Sequence, residues 1–217
     1  MKRINHKFPA ILIIVLIFSI TSVTGQSPDR SNLRFGIKGG LNISNMYTKD
    51  VQDNNTLTGF NAGLFLKMPF TSVLAFQPEL LYTKKGSELT YNSFISGKAS
   101  FSLSYIEMPL LAVINLTENF NVHGGIYLAT LTSVKITNKS SMDLINFESD
   151  LKKSVFEMYD WGLVAGAGLD LKKFSVGVRY EYGMKPVGKE RSILGQSYRI
   201  PDARNSTIQL YLSISIL

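Results

Sequence analysis

The sequence predicts an all-β fold: an eight-stranded antiparallel up-and-down barrel that crosses a membrane, preceded by a cleavable leader. Three observations carry that prediction. Eight segments alternate apolar and polar residues with period two. The links between them run short, long, short, long. The apolar face is almost free of charge, while the opposite face is rich in glycine. The chain has 217 residues, 45% hydrophobic and 18% charged, with 17 glycines and no cysteine. The missing cysteine excludes a disulfide scaffold, a thiol nucleophile, a thiolate metal site and a lipidated cysteine anchor.

The first segment is a leader. Residues 1–25 begin with Lys2, Arg3 and Lys7, continue through an apolar run from Ala10 to Ile20, and end in small residues before a cut after Gly25. This is the anatomy of a signal peptide, and the run is too short for a spanning helix, which needs about 20 residues. Residues 26–32 form a short N-terminal segment, and 33–217 are the barrel. The formal net charge is +7, but three of the positive residues sit in the leader. The remaining bases are scattered without a recognition motif, so nucleic acid is not an expected partner.

The eight strands fall at about 33–47, 58–68, 73–85, 101–116, 119–136, 159–171, 173–184 and 205–217. Each meets the roughly 9–11 residues a tilted membrane strand requires. The second and third are joined by "PFTS", the fourth and fifth by "TEN", the sixth and seventh by "KK". The links 48–57, 86–100, 137–158 and 185–204 are long. Tight turns at one end and large loops at the other are the signature of a bacterial outer-membrane barrel, with both chain ends on the periplasmic side. Residues 142–156 read equally well as a short amphipathic helix or as a strand extension.

The third strand shows the two faces. In "FQPELLYTKKG", Leu74, Phe76, Leu80 and Tyr82 lie on one side and Gln77, Glu79, Thr83 and Lys85 on the other. The apolar set continues through Leu33, Ile37, Leu41, Phe60, Leu64, Ile106, Ile126, Leu163, Val176 and Leu210, and only Lys84 charges it. A soluble lipocalin-like barrel would also keep one face apolar. Two features favour lipid outside. Aromatics on the apolar face cluster at its ends, with Phe35, Phe76, Phe120 and Phe174 toward the short turns and Tyr47, Phe60, Tyr82, Trp161 and Tyr182 toward the long loops. The opposite face carries Gly36, Gly40, Gly63, Gly125, Gly162, Gly166, Gly168, Gly177 and Gly183, material for a narrow interior.

Inward parity collects Arg34, Lys38, Lys67, Glu79, Glu107, Asp160, Asp170, Arg179 and Glu181. Mixed signs point to an interior salt-bridged network, because isolated buried charges are costly; an ion or proton path is the functional alternative. Pro78 and Pro109 cannot donate to a ladder, and bulges beside them are the expected accommodation.

In order along the chain, "FGIKGGLNISNM", "GFNAGLFLKMPF", "FQPELLYTKKGSEL", "YIEMPLLAVINL", "GGIYLA", "DWGLVAGAGLDL" and "VGVRYEYGMKPV" resemble the PorT-like outer-membrane β-barrel family of Bacteroidota-type Gram-negative bacteria. The resemblance spans 33–217 and implies an eight-stranded outer-membrane barrel, with a link to protein secretion for PorT itself. It implies no catalytic motif. Such barrels usually end in an aromatic residue, and "YLSISIL" departs from that.

Chemistry-bearing patterns are sparse. His123 is the one histidine outside the leader, and no Ser–His–Asp or metal spacing surrounds it, so it reads as an interior histidine with satisfied partners. Barrel enzymes place catalytic residues at the outer rim, where this chain has Glu157, Asp160 and serines but no histidine. The glycines of "GLVAGAGLD" lie in a strand and form no phosphate cradle. No catalytic residue, cofactor or metal is expected. Lys185, Lys189, Arg191, Arg199 and Arg204 outnumber Glu190 and Asp202 in 185–204, making that loop a candidate contact for anionic lipid or lipopolysaccharide. The expected protein is a monomeric, non-enzymatic outer-membrane barrel with a structural or surface-interacting role; an accessory of a secretion assembly, a small pore and a soluble binding barrel are the alternatives.

Overall fold

A computed structural model describes residues 33–47, 54–92, 96–140, 147–150, 156–188, 190–193, 196–199 and 203–216. The leader assigned to 1–25 and the segment 26–32 lie outside these residues. Eleven strands are described: β1 (Arg34–Tyr47), β2 (Asn54–Pro69), β3 (Leu74–Asn92), β4 (Ser96–Asn115), β5 (Phe120–Ser140), β6 (Phe147–Asp150), β7 (Tyr159–Leu171), β8 (Phe174–Pro186), β9 (Glu190–Ile193), β10 (Gln196–Arg199) and β11 (Arg204–Ser215). Eight of them close into an antiparallel barrel. Each stave pairs with the next from β1 through β5, then β7, β8 and β11, and β11 pairs back onto β1 from Gly36↔Ser215 to Tyr47↔Arg204. Closure leaves no barrel stave with an unpaired edge, as a chain crossing hydrocarbon requires.

Short turns sit where the sequence puts them, and two share one device. Thr71 Oγ1 accepts from the backbone N–H groups of Val73 and Leu74, and Thr117 Oγ1 accepts from those of Asn119 and Phe120. A hydroxyl two or three residues upstream thus satisfies the donors that the reversal frees. The two-residue turn between β7 and β8 places Lys172 at φ 50°.

The long connections are less irregular than the sequence suggests. Most of 86–100 is strand, because β3 runs on to Asn92 and β4 starts at Ser96, paired as far as Asn92↔Ser96. Within 142–156, the described residues Phe147–Asp150 form β6, which pairs with the outer part of β5 as a strand. The connection 185–204 contains the β9–β10 hairpin. Alternation fails as a signal in these stretches because it marks a strand only where the two faces meet different surroundings.

The expected bulges beside the prolines do not occur. Register between β3 and β4 runs from Pro78↔Leu110 to Leu81↔Glu107 without a shift. Pro109 would face Glu79, so both prolines fall in or beside one gap in the ladder and the pairing resumes in step. The irregularities lie elsewhere, between Thr56 and Asn61 on β2, between Ser104 and Tyr105 on β4, and between Arg204 and Ser206 on β11.

Burial settles which face is which. Ile37, Leu41, Leu64, Leu80, Ile126, Leu163, Val178 and Leu210 are all at least 41% exposed, whereas Lys38, Glu79, Glu107, Arg179 and Glu181 are at most 4% exposed. The barrel is polar inside and apolar outside, as acyl chains require. Phe60, Tyr82 and Trp161 on the long-loop side and Phe120 and Phe174 on the short-turn side are exposed outward. The side chain of Tyr47 lies outside the description.

Candidate functional site: a filled, charged lumen

The interior is built around two triads of opposite composition. In the first, Glu79 from β3 lies between two cations. Lys38 Nζ donates to its Oε1 over 2.9 Å, and Arg179 grips both oxygens through Nη1 and Nη2, each at 2.9 Å. Gln77 Nε2 adds a further bond of 2.7 Å. In the second, Lys85 from β3 lies between two anions, donating to Oε2 of Glu107 on β4 and Oε2 of Glu181 on β8. Bonds with an ionised partner are stronger than neutral ones, and the forked Arg179 contact adds direction.

Two tyrosines seat these cations. Lys38 Nζ lies 3.6 Å from the centre of the Tyr211 ring, and Lys85 Nζ lies 4.3 Å from that of Tyr127. A desolvated cation over an aromatic face is held by the ring quadrupole. Glycines make room for the rings. Gly168↔Gly177 and Gly162↔Gly183 are cross-strand pairs of β7 and β8. A Cβ on Gly177 would come within 2.5 Å of the Tyr211 hydroxyl, and one on Gly162 within 2.6 Å of Tyr127. Each pair is a notch in the wall that a neighbouring tyrosine covers.

Toward the short turns, Lys67 Nζ meets Asp170 Oδ2 at 2.8 Å and Asn115 Oδ1 at 3.2 Å. Arg34 faces the same end and makes no ion pair among the described residues. His123 is buried with Nδ1 3.2 Å from Asn121 Oδ1, but its Nε2 has no partner, so the expectation of a fully satisfied histidine is met at one nitrogen only. Toward the long loops, Asp160 accepts from Tyr127 and from Asn205 Nδ2. Above it, Phe156, Val187 and Ala203 join Leu103, Tyr105, Leu131 and Val134 in one buried apolar cluster. The Phe156↔Gly188 bridge and the bond from Val187 N to Ala203 O fasten this cap.

Lys85, Tyr105, Tyr127 and Tyr211 are lumen residues absent from the interior set read from the sequence. Lys85 shares the face of Glu79 but stands where the apolar alternation ends, and only the continuation of β3 makes it mid-strand. Of the loop bases expected to meet anions, Lys185 is instead half-buried and paired with Glu157 at 2.8 Å. Arg204 is part-buried at the start of β11. Arg191 and Arg199 occupy the β9–β10 hairpin with side chains outside the description, as is all of Lys189. Among the described residues no group of three or more metal-ligating side chains is placed to hold a metal.

A family model described as "Outer membrane protein beta-barrel domain" matches residues 24–187. None of the curated proteins matches the sequence. Among solved structures, the chain is similar to Ail, the attachment invasion locus protein of Yersinia pestis, at 13% identity, covering 84% of this chain and 98% of that one with a TM-score of 0.44. It is similar to Neisserial surface protein A at 12% identity, covering 84% and 97%, with a TM-score of 0.46. The outer membrane protease OmpT from Escherichia coli aligns at 10% identity, covering 89% and 99%, with a TM-score of 0.41. An eight-stave closed barrel, apolar outside and ion-paired within, thus carries a family match over most of its length, and the chain belongs to the outer membrane protein beta-barrel domain family.

Proposed function

We propose that this outer-membrane barrel is a non-conducting anchor that holds the structures at its long-loop end outside the cell for contact with a surface partner. The observation that carries this reading is the lumen filled with ion-paired side chains. Two ion triads occupy the middle and, among the described residues, Phe156, Val187 and Ala203 belong to a buried apolar cluster on the long-loop side, so side chains fill the space a solute would need. The apolar belt meets outer-membrane lipid, the barrel acts as a monomer, and both chain ends lie on the periplasmic side. The outward end carries the overshoot of β3, β4 and β5, the short strand β6 and the β9–β10 hairpin.

The test uses the absence of cysteine. A Ser192→Cys variant carries a single thiol in the β9–β10 hairpin. Intact cells should label it with a membrane-impermeant maleimide, and the purified chain should give no conductance steps in planar bilayers. Labelling only after lysis, or discrete channel openings, would refute the reading. Co-purification of stoichiometric secretion proteins from detergent extracts would instead favour the accessory role that the PorT-like resemblance implies.

A further inference from the structure

Among the described residues, the middle of the lumen holds one acid more than it holds bases. Lys38, Lys85 and Arg179 are each at most 4% exposed, and they face Glu79, Glu107, Glu181 and Asp160, none more than 7% exposed. The two triads match three bases with three acids. Asp160 is the fourth acid. It accepts from Tyr127 and Asn205 and makes no ion pair among the described residues. A net charge left in a buried interior is costly, and a carboxylate escapes that cost by taking up a proton.

A second, independent observation locates that proton. Glu107 of β4 and Glu181 of β8 reach across the lumen to the same Lys85 ammonium, each through Oε2. Their carboxyl groups stand within hydrogen-bonding reach of each other. The other oxygen of each, Oε1, is buried without a donor and without room for a water beside it. Leaving such an atom unpaired is expensive. Ionised carboxylates only accept, so two in contact repel and neither can satisfy the other. One proton resolves both faults: the protonated carboxyl donates to its neighbour, and the excess negative charge is gone. A proton needs no cavity, so the close packing that shuts out water is no obstacle to it.

We infer that Glu107 and Glu181 bind and share one proton in the folded barrel at neutral pH, as an acid–carboxylate pair clasped by Lys85. The charged and titratable groups facing the pair are Lys38 from β1, Lys85 from β3, Tyr105 from β4, Tyr127 from β5, Asp160 from β7 and Arg179 from β8. From β11, Thr207 stands opposite Glu181 and carries no titrating group. With the proton bound, three cations meet three carboxylates. Its loss sets two anions against each other around one ammonium, which makes the pair the point at which alkali loosens the interior.

Infrared spectroscopy of the full chain in detergent and heavy water reads the proton directly. A carboxylic-acid C=O band should be present at neutral pH, and carbon-13 in the glutamate side-chain carboxyls should shift it. Glu107→Gln and Glu181→Gln should each abolish the band, because an amide donates to the remaining carboxylate without a titrating proton. Unfolding gives a second readout. The folded chain holds a proton that the unfolded chain releases, so stability falls as pH rises. From neutral to mildly alkaline pH the unfolding constant should increase by about tenfold per unit, and Glu107→Gln should flatten that dependence. A band missing from the unsubstituted chain, a band that glutamate labelling does not move, or the same pH dependence with and without Glu107 would overturn the shared proton.

Discussion

The two ion triads share a geometry and differ in what they leave unpaired. Around Glu79 the centre is an anion, and three bonds from Lys38 and Arg179, with a fourth from Gln77, occupy both its oxygens. Around Lys85 the centre is a cation, and Oε1 of Glu107 and of Glu181 have no hydrogen-bond partner among the described residues. The first triad has one cation too many and the second one carboxylate too many, so each offsets the other. Glu181 stands two residues from Arg179 on β8, which brings the surplus charges close. Neither triad is balanced by itself.

Removing the centre of the saturated triad should cost most. Glu79→Gln leaves Lys38 and Arg179 facing each other without a counter-charge, a loss of about 3–5 kcal/mol by the usual penalty for orphaning a buried charge. It should appear as a lowered urea midpoint for unfolding from detergent micelles. Lys85→Met removes two charge-assisted bonds and the contact with Tyr127, and should cost about 3 kcal/mol by the same reasoning; adding Glu107→Gln and Glu181→Gln to it should recover most of the loss. Glu107→Gln alone should be the mildest, about 1–2 kcal/mol, because the amide still accepts from Lys85 and Glu181 keeps that cation paired, so the loss is confined to the offset of the Lys38–Arg179 surplus. Equal losses at Glu79 and Glu107 would erase the distinction between the triads.

Much of this is legible in the sequence. The alternation marks each of the eight staves, and the inward parity of Lys38, Glu79, Glu107, Arg179 and Glu181 follows from counting in twos along runs whose other face is apolar. Counting failed for identifiable reasons. Opposite Ser104 and Tyr105 the register skips Thr132 on β5, so the buried positions of that strand pass from Tyr127, Ala129 and Leu131 to Val134 and the count in twos breaks. Past Lys85 the strand leaves the apolar belt and the pattern has no contrast left to report. The tyrosines were hidden for another reason: an aromatic on the glycine-rich face looks like an interruption until the paired notches at Gly162↔Gly183 and Gly168↔Gly177 are seen to receive it. Which acid meets which base depends on distances across the lumen, and no pattern along one strand encodes them.

Those notches have a mechanical consequence. From the β7–β8 side, Tyr211 bears on Lys38 of β1 and through it on Glu79 of β3; at another height Tyr127 bears directly on Lys85 of β3. Two struts therefore cross the cylinder, each anchored where its wall has no side chain to yield. A hollow barrel of this width could be squeezed toward an ellipse by lateral pressure from the bilayer, whereas this one is propped from within and holds its cross-section.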